Sequence, residues 1–198
     1  MSNYRRMWSV AVLSLIGFLL GFSVQASEGP VLGSVIAHVT VRHQDIPVYQ
    51  LTQIEAANTP QGMDGFAEKV AVFLHTWTRA HGVEASGNIC RSKDKSSWGV
   101  VLLTIGAHTS SPITNVCPDG MTKTGVTIHS HPQRHIYTVN FVDRAFLING
   151  LMAESKIATY PDEYSGDDLN AGPGYLVGLR SLHFQDGHDH QRVVENLL

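Results

Sequence analysis

The spacing of hydrophobic and polar positions changes several times along the chain, which predicts both helices and strands. Residues 31–51 alternate loosely between apolar and polar side chains, which predicts one or two strands. Residues 63–80 carry apolar side chains at helical spacing, so we expect an amphipathic helix that Gly82 terminates. Beyond Gly82 the pattern predicts strands at 83–91, 98–105 and 125–131, a second helix at 141–155, and a hairpin at 175–177 and 181–184.

These predicted elements follow one another without a regular strand–helix–strand alternation, which favours the α+β class. The chain has 198 residues, which is enough for one domain with a core of its own after the N-terminal segment is set aside. The C-terminal tail is expected to be frayed and solvated. We divide the sequence into a signal (1–26), N-terminal strands with a linker (27–62), a main domain (63–187) and the tail (188–198).

The first residues have the organisation of a secretory signal. Arg5 and Arg6 form a charged start, residues 7–24 are uncharged and largely apolar, and Val24-Gln25-Ala26 offers small residues for cleavage after Ala26. The alternative is an uncleaved membrane anchor, because the apolar run approaches the length that spans a bilayer. Either way, we expect the remainder to work outside the cytoplasm, in the periplasm or as a secreted protein.

The charge of the chain argues against a nucleic-acid partner. The formal net charge is −3 and becomes −5 when the two arginines of the signal are removed. A protein that binds phosphate backbones needs a basic surface, which this composition does not favour.

Cys90 and Cys117 are the two cysteines of the sequence. In an oxidising compartment such a pair usually forms a disulfide. Closing a loop of about 27 residues would stabilise the fold by about 3 kcal/mol. Two metal-binding thiolates are the alternative, but the spacing fits no zinc ribbon.

His-Ser-His-Pro at 129–132 is the most informative motif of the sequence. It follows the β-rich run 125–128, so we expect a strand. Side chains alternate along a strand, so His129 and His131 should lie on one face and can converge on a metal ion. A catalytic zinc needs at least one more protein ligand and an open position for water.

The chain carries further acidic residues in a suggestive order. Glu84 follows the predicted helix, the two histidines come next, and Ser-Gly-Asp-Asp stands downstream at 165–168. This order resembles the signature of the JAMM (MPN+) zinc metalloproteases. The resemblance implies that His129, His131 and Asp168 bind zinc, that Glu84 is the general base on the zinc-bound water, and that Ser165 stabilises the oxyanion.

The C-terminal part adds to this resemblance. Tyr-Ser-Gly-Asp-Asp-Leu at 164–169, Pro-Gly-Tyr-Leu-Val at 173–177 and Leu-His-Phe at 182–184 are similar to the JAMM-like domains that end bacterial Rhs/YD-repeat toxins. The resemblance covers roughly residues 64–187. It implies a single JAMM/MPN-like (cytidine-deaminase-like) domain with a mixed central sheet flanked by helices.

The identity of the third ligand has an alternative. In core JAMM enzymes the Ser-x-x-Asp motif follows the proline closely, whereas residues 133–164 intervene here. Asp143 stands near the shorter spacing, but Asn140 occupies the place of the serine. The toxin-associated branch tolerates the insertion, so Asp168 is favoured and Asp143 remains the alternative.

From this resemblance we expect an exported, zinc-dependent metallopeptidase that hydrolyses a peptide or isopeptide bond with a zinc-activated water. Its partner would be a peptide, a protein or a cell-wall peptide, and a membrane only if the signal is uncleaved. The alternatives are a non-catalytic JAMM-like binding module and a secreted antibacterial effector of the same fold.

Overall fold

The structure is a computed structural model that describes residues 32–112, 115–146, 154–187 and 189–198. The predicted signal at 1–26 lies outside these residues. No helix within the described ranges is long and apolar enough to span a bilayer.

One eight-stranded sheet forms the centre of the fold. Its strands are β1 (Ser34–Val41), β2 (Gln44–Ala57), β3 (Ala85–Ser92), β4 (Ser97–Thr104), β5 (Met121–Ser130), β8 (Gly174–Val177), β9 (Ser181–Gln185) and β10 (Gln191–Asn196). Their order is β1-β2-β4-β3-β5-β8-β9-β10, and every neighbouring pair is antiparallel except β5 and β8, which run parallel. A mixed sheet is therefore confirmed, and the two N-terminal strands are part of it.

The described residues also contain three helices: α1 (Gly62–His81), α2 (Phe141–Phe146) and α3 (Gly166–Asn170). α1 packs its apolar stripe, which includes Phe66 and Leu74, on one face of the sheet. It ends at Gly82, whose φ of 72° is the left-handed conformation that glycine adopts readily. α2 packs on a second apolar cluster that includes Ile46 and Leu103. The α+β class is confirmed.

The prediction of a helix over 141–155 is wrong at its end. α2 stops at Phe146, residues 147–153 lie outside the described residues, and Glu154 and Ser155 are not helical. The backbone N–H of Val139 instead donates to the carbonyl of Ser155 at 2.9 Å. This bond continues a small antiparallel sheet formed by β6 (Ile136–Thr138) and β7 (Lys156–Ala158).

The prediction of a frayed C-terminal tail is also wrong for most of its length. β10 pairs with β9, and the guanidinium group of Arg192 lies 4.9 Å from the ring centre of Phe184. The Nη2 of Arg192 also donates to both carboxylate oxygens of Asp64 in α1, at 2.9 and 3.0 Å. β10 thus completes one edge of the sheet and ties it to α1.

Asp64 makes the stability of this connection dependent on pH. Burial opposes ionisation of Asp64, but hydrogen bonds from Arg192 and from the hydroxyl of Tyr175 hold its pKa below the ordinary value. A lowered pKa in the folded state stabilises the protein above the unfolded pKa of about 3.9. That contribution is lost as the pH falls through the folded pKa.

Asp64→Asn removes the charge that pairs with Arg192, so we expect it to lower the free energy of unfolding by about 1 kcal/mol at neutral pH. The loss is small because Asp64 is partly exposed to solvent. The difference from wild type should shrink as the pH falls below about 4. Urea unfolding at several pH values measures both effects. Asp45→Asn, at a more exposed carboxylate, is the matched control. A pH-independent difference would contradict the assignment.

Cys90 and Cys117 form a disulfide, which confirms the prediction from the sequence. The bond joins β3 to the segment that leads into β5, and the two Cα atoms are 5.9 Å apart. It therefore links the strand that follows Glu84 to the strand that carries His129.

Candidate metal centre

The strand β5 directs its last side chains alternately to the two faces of the sheet. The hydroxyl of Ser130 lies 2.6 Å from the hydroxyl of Thr78 in α1. His129 and His131, one residue before and after, both line a cavity on the opposite face. This is the period-two arrangement that the sequence predicts. His131 lies immediately after the end of β5.

Asp168 completes a compact group with the two histidines. Its Oδ1 lies 3.3 Å from Nε2 of His129, and its Oδ2 lies 3.5 Å from Nε2 of His131. The three ligand-type atoms all lie within 4.8 Å of one another. Two imidazoles and a carboxylate at these separations can hold one metal ion.

Ser165 fixes the orientation of Asp168. It is the N-cap of α3, where its Oγ donates to Oδ2 of Asp168 at 2.7 Å and accepts from the backbone N–H of Asp168 at 3.2 Å. The backbone N–H of Ser165 also donates to Oδ2 of Asp168, at 2.7 Å. This is a reciprocal capping box, with aspartate in place of the usual glutamate. The Ser-x-x-Asp motif therefore presents the carboxylate on a turn that these hydrogen bonds close.

A backbone carbonyl orients the second histidine. Nδ1 of His131 lies 3.1 Å from the carbonyl oxygen of Tyr160. Because a carbonyl only accepts, Nδ1 must carry the hydrogen, and Nε2 remains the metal-facing nitrogen. Metal-binding histidines commonly have such a partner on their other nitrogen.

Nε2 of His129 is the strongest sign that the group serves a ligand. It is buried and makes no hydrogen bond among the described residues, although Oδ1 of Asp168 lies 3.3 Å away. A buried polar atom without a partner is unusual in a native protein. Burial, together with neighbouring His131, lowers the pKa of His129 to about 4. A neutral imidazole with an unused lone pair is the form that binds a metal ion.

The charges around His131 favour a cation at the same place. Burial alone would lower the pKa of His131, but its hydrogen bond with Asp168 and the charge of Glu84 raise it to about 8. Burial likewise opposes ionisation of Asp168, yet the two histidines and Ser165 hold its pKa well below the usual range. A proton or a metal ion can supply this positive charge.

Glu84 lies beside the group, in the residue before β3. Its Oε1 is 3.8 Å from Nε2 of His131. Two bonds fix its backbone: its N–H donates to the carbonyl of Ala107 at 2.8 Å, and the hydroxyl of Thr104 donates to its carbonyl at 2.5 Å. Burial raises the pKa of Glu84 to about 8, so a proton can be held there near neutral pH.

Asp143, the alternative third ligand, lies outside the group. Its side chain is fully buried and accepts hydrogen bonds from Nδ1 and the backbone N–H of His108, at 2.6 and 2.7 Å. The backbone N–H of Asn140 adds a third bond, at 2.8 Å. These bonds attach α2 to the segment after β4, and they occupy the oxygens that a metal would need.

The group opens into a cavity of about 440 Å³. Residues at the ends of β3 and β5 and in the α3 turn line it. The segment after β4 contributes hydroxyl groups, and the residues after β7 contribute the aromatic ring of Tyr160. Its described lining residues include Glu84, Ser86, Thr109, Ser110, Ser111, Thr127, Phe146, Tyr160, Glu163, Tyr164, Asp167 and Gln185, besides the metal-ligating group itself.

Sequence reasoning missed two residues of the site, Thr104 and Tyr160. The carbonyl of Tyr160 contacts His131, and a backbone group leaves no signal in the residue type. Thr104 acts through its hydroxyl on the backbone of Glu84, and in the sequence it is one β-branched residue within a predicted strand. No pattern in the sequence distinguishes it from its neighbours.

Comparisons with protein-family models, with curated proteins and with solved structures find no match to this chain.

Proposed function

We propose that the protein is an exported zinc-dependent metallopeptidase that hydrolyses a peptide or isopeptide bond. The observation that supports this most strongly is the unpartnered, buried Nε2 of His129, which faces His131 and Asp168 with the carboxylate of Glu84 alongside. A group of ligands with an acidic residue next to it is what metal-assisted hydrolysis requires.

The residues present fit a zinc ion. His129, His131 and Asp168 would hold it as three protein ligands, which leaves a fourth position for water or substrate. When bound, the ion supplies a Lewis acid that polarises a carbonyl and lowers the pKa of a coordinated water toward about 7. Two imidazoles and one carboxylate form a ligand set that zinc accepts in proteins.

The chain's own residues account for the remaining chemistry. Glu84 would accept a proton from the attacking water and deliver it to the leaving amine, because its raised pKa suits proton transfer near neutral pH. Ser165 holds Asp168 in position. To donate to a developing oxyanion, as the family resemblance implies, its hydroxyl would turn from Asp168 toward the substrate.

Three further considerations support a JAMM-like identity and an exported protein. The order of Glu84, the two histidines and the Ser-x-x-Asp motif matches the JAMM signature. The disulfide suits an oxidising compartment. The signal-like residues 1–26 suit export. The substrate would then be a peptide, a protein or a cell-wall peptide.

We expect the purified mature protein to cleave members of a combined library of peptides, isopeptide-linked peptides and cell-wall peptides. A zinc chelator should abolish the cleavage, and added zinc should restore it, because the ligands are preformed in the fold. Mass spectrometry of the products identifies the broken bond. Cleavage that survives complete removal of the metal would contradict a zinc mechanism. An absence of cleavage with zinc bound would favour the binding module.

A further inference from the structure

The cavity beside the metal-ligating group has an uneven distribution of charge. Outside that group, the charged side chains among its described lining residues are Glu84, Glu163 and Asp167, and none of the lining residues is lysine or arginine. A bound divalent ion would favour the ionised form of Glu84 and would balance its charge together with that of Asp168. The two remaining carboxylates, Glu163 and Asp167, would then leave the cavity negative.

Glu163 and Asp167 are also unpaired. Both residues are exposed, and within the described part of the chain neither carboxylate has a hydrogen-bond or ion-pair partner. Neighbouring Asp162 differs, because Arg180 donates to its carboxylate at 3.2 Å. The unpaired negative charge on this segment is therefore confined to the two residues that line the cavity.

Nε2 of His129 lines the same cavity and makes no hydrogen bond among the described residues, which indicates that the cavity receives a ligand. The lining also contains the neutral hydroxyl groups of Thr109, Ser110 and Ser111. A ligand that enters would thus meet both neutral hydrogen-bonding groups and negative charge. Complementary charge at a site's edge selects among ligands more than it adds total affinity.

We propose that Glu163 and Asp167 select substrates that carry a positively charged group, such as a lysine ammonium, close to the bond that is broken. This inference rests on the proposed peptidase function, because it identifies the substrate class of that same cavity. The cation would remain outside the metal-ligating group and would pair with the two free carboxylates at the cavity wall.

The test measures binding rather than turnover. The probes are short alanine-based peptides, acetylated and amidated at their ends, with one central lysine, norleucine or glutamate. Fluorescence anisotropy with the full mature protein gives their dissociation constants, with and without zinc. We expect the lysine peptide to bind about tenfold more tightly than the norleucine peptide at low salt, and the glutamate peptide to bind most weakly. The preference should decrease at high salt.

The double variant Glu163→Gln, Asp167→Asn should remove most of the preference for lysine, and each single variant should remove about half of it in free-energy terms. Glu195→Gln removes an exposed carboxylate that does not line the cavity, and it should leave the preference unchanged. Urea unfolding of each variant separates binding from stability. If Asp167→Asn changed the stability but left the preference for lysine unchanged, Asp167 would only stabilise the first turn of α3. That result would contradict the inference for Asp167.

Equal binding of the lysine and norleucine peptides would overturn the inference. A preference for lysine that survives in the double variant would also overturn it, as would a failure of every peptide to bind at millimolar concentration. Failure of the proposed function gives a different result. In that case the lysine preference persists and depends on Glu163 and Asp167, but no bond is broken in the presence of zinc.

Discussion

Replacing His131 by alanine is expected to reduce bound zinc from about one ion per mature chain to nearly none. The remaining pair, His129 and Asp168, would offer fewer protein ligands than zinc sites normally use. Elemental analysis after dialysis measures the loss directly. A second readout is stability. Zinc at about one hundred times its dissociation constant should raise the wild-type free energy of unfolding by about 2.7 kcal/mol, with no such rise in His131→Ala.

The matched control is His38→Ala, which removes an exposed histidine of β1 and should keep full zinc. Asp168→Asn tests the third ligand separately. Asp143→Asn is the corresponding change at the alternative position, and it should keep zinc if the protein folds, because Asp143 is bonded to His108. Stoichiometric zinc in His131→Ala would refute the assignment of the metal centre.

The parts of the site that depend on local geometry were predictable from the sequence. The direction of side chains on a strand is fixed by the backbone, so the pattern around His129 and His131 was enough to place both on one face. The helix over 63–80 was predicted for a similar reason, because its apolar stripe has the helical period. The disulfide followed from the number of cysteines and the expected compartment.

The approach of Asp168 to the histidines was not predictable from local pattern. It depends on the parallel pairing of β5 with β8, which brings the preceding α3 turn alongside. The sequence suggested Asp168 through a family resemblance. The Ser-x-x-Asp spacing is also typical of a helix N-terminus, so it could have predicted the start of α3. α3 has five residues, too few to show a helical period.

The errors at the C-terminal end have a different physical origin. β10 is largely exposed and polar, so it lacks the apolar alternation that predicts a strand. Its position is determined by backbone bonds to β9 and by the contact between Arg192 and Asp64. β6 and β7 have three residues each, which is too short for any periodicity to appear. A strand whose position depends on its hydrogen-bonded neighbours cannot be recognised from the pattern of its own residues.

Glu84→Gln is expected to give a folded, zinc-loaded protein whose rate of hydrolysis is about 10²- to 10⁴-fold lower than that of the wild type. Glutamine keeps the size of the side chain and removes its ability to accept a proton. The fold should not suffer, because burial already disfavours the charged carboxylate and glutamine is neutral. Zinc should remain, since Glu84 lies beside His131 and outside the group of three ligand atoms.

Rates for wild type and Glu84→Gln are compared on whichever library member wild type cleaves, with zinc content and urea unfolding measured on the same samples. Glu195→Gln, at an exposed site on β10, is the control for removal of a carboxylate and should retain the wild-type rate. A Glu84→Gln protein that keeps both zinc and full activity would show that another group takes the proton. A protein that loses zinc would instead make Glu84 a ligand. We expect Glu84→Gln to lose its rate and keep its metal. This result distinguishes a general base from both alternatives, because a general base is needed for turnover but not for metal binding.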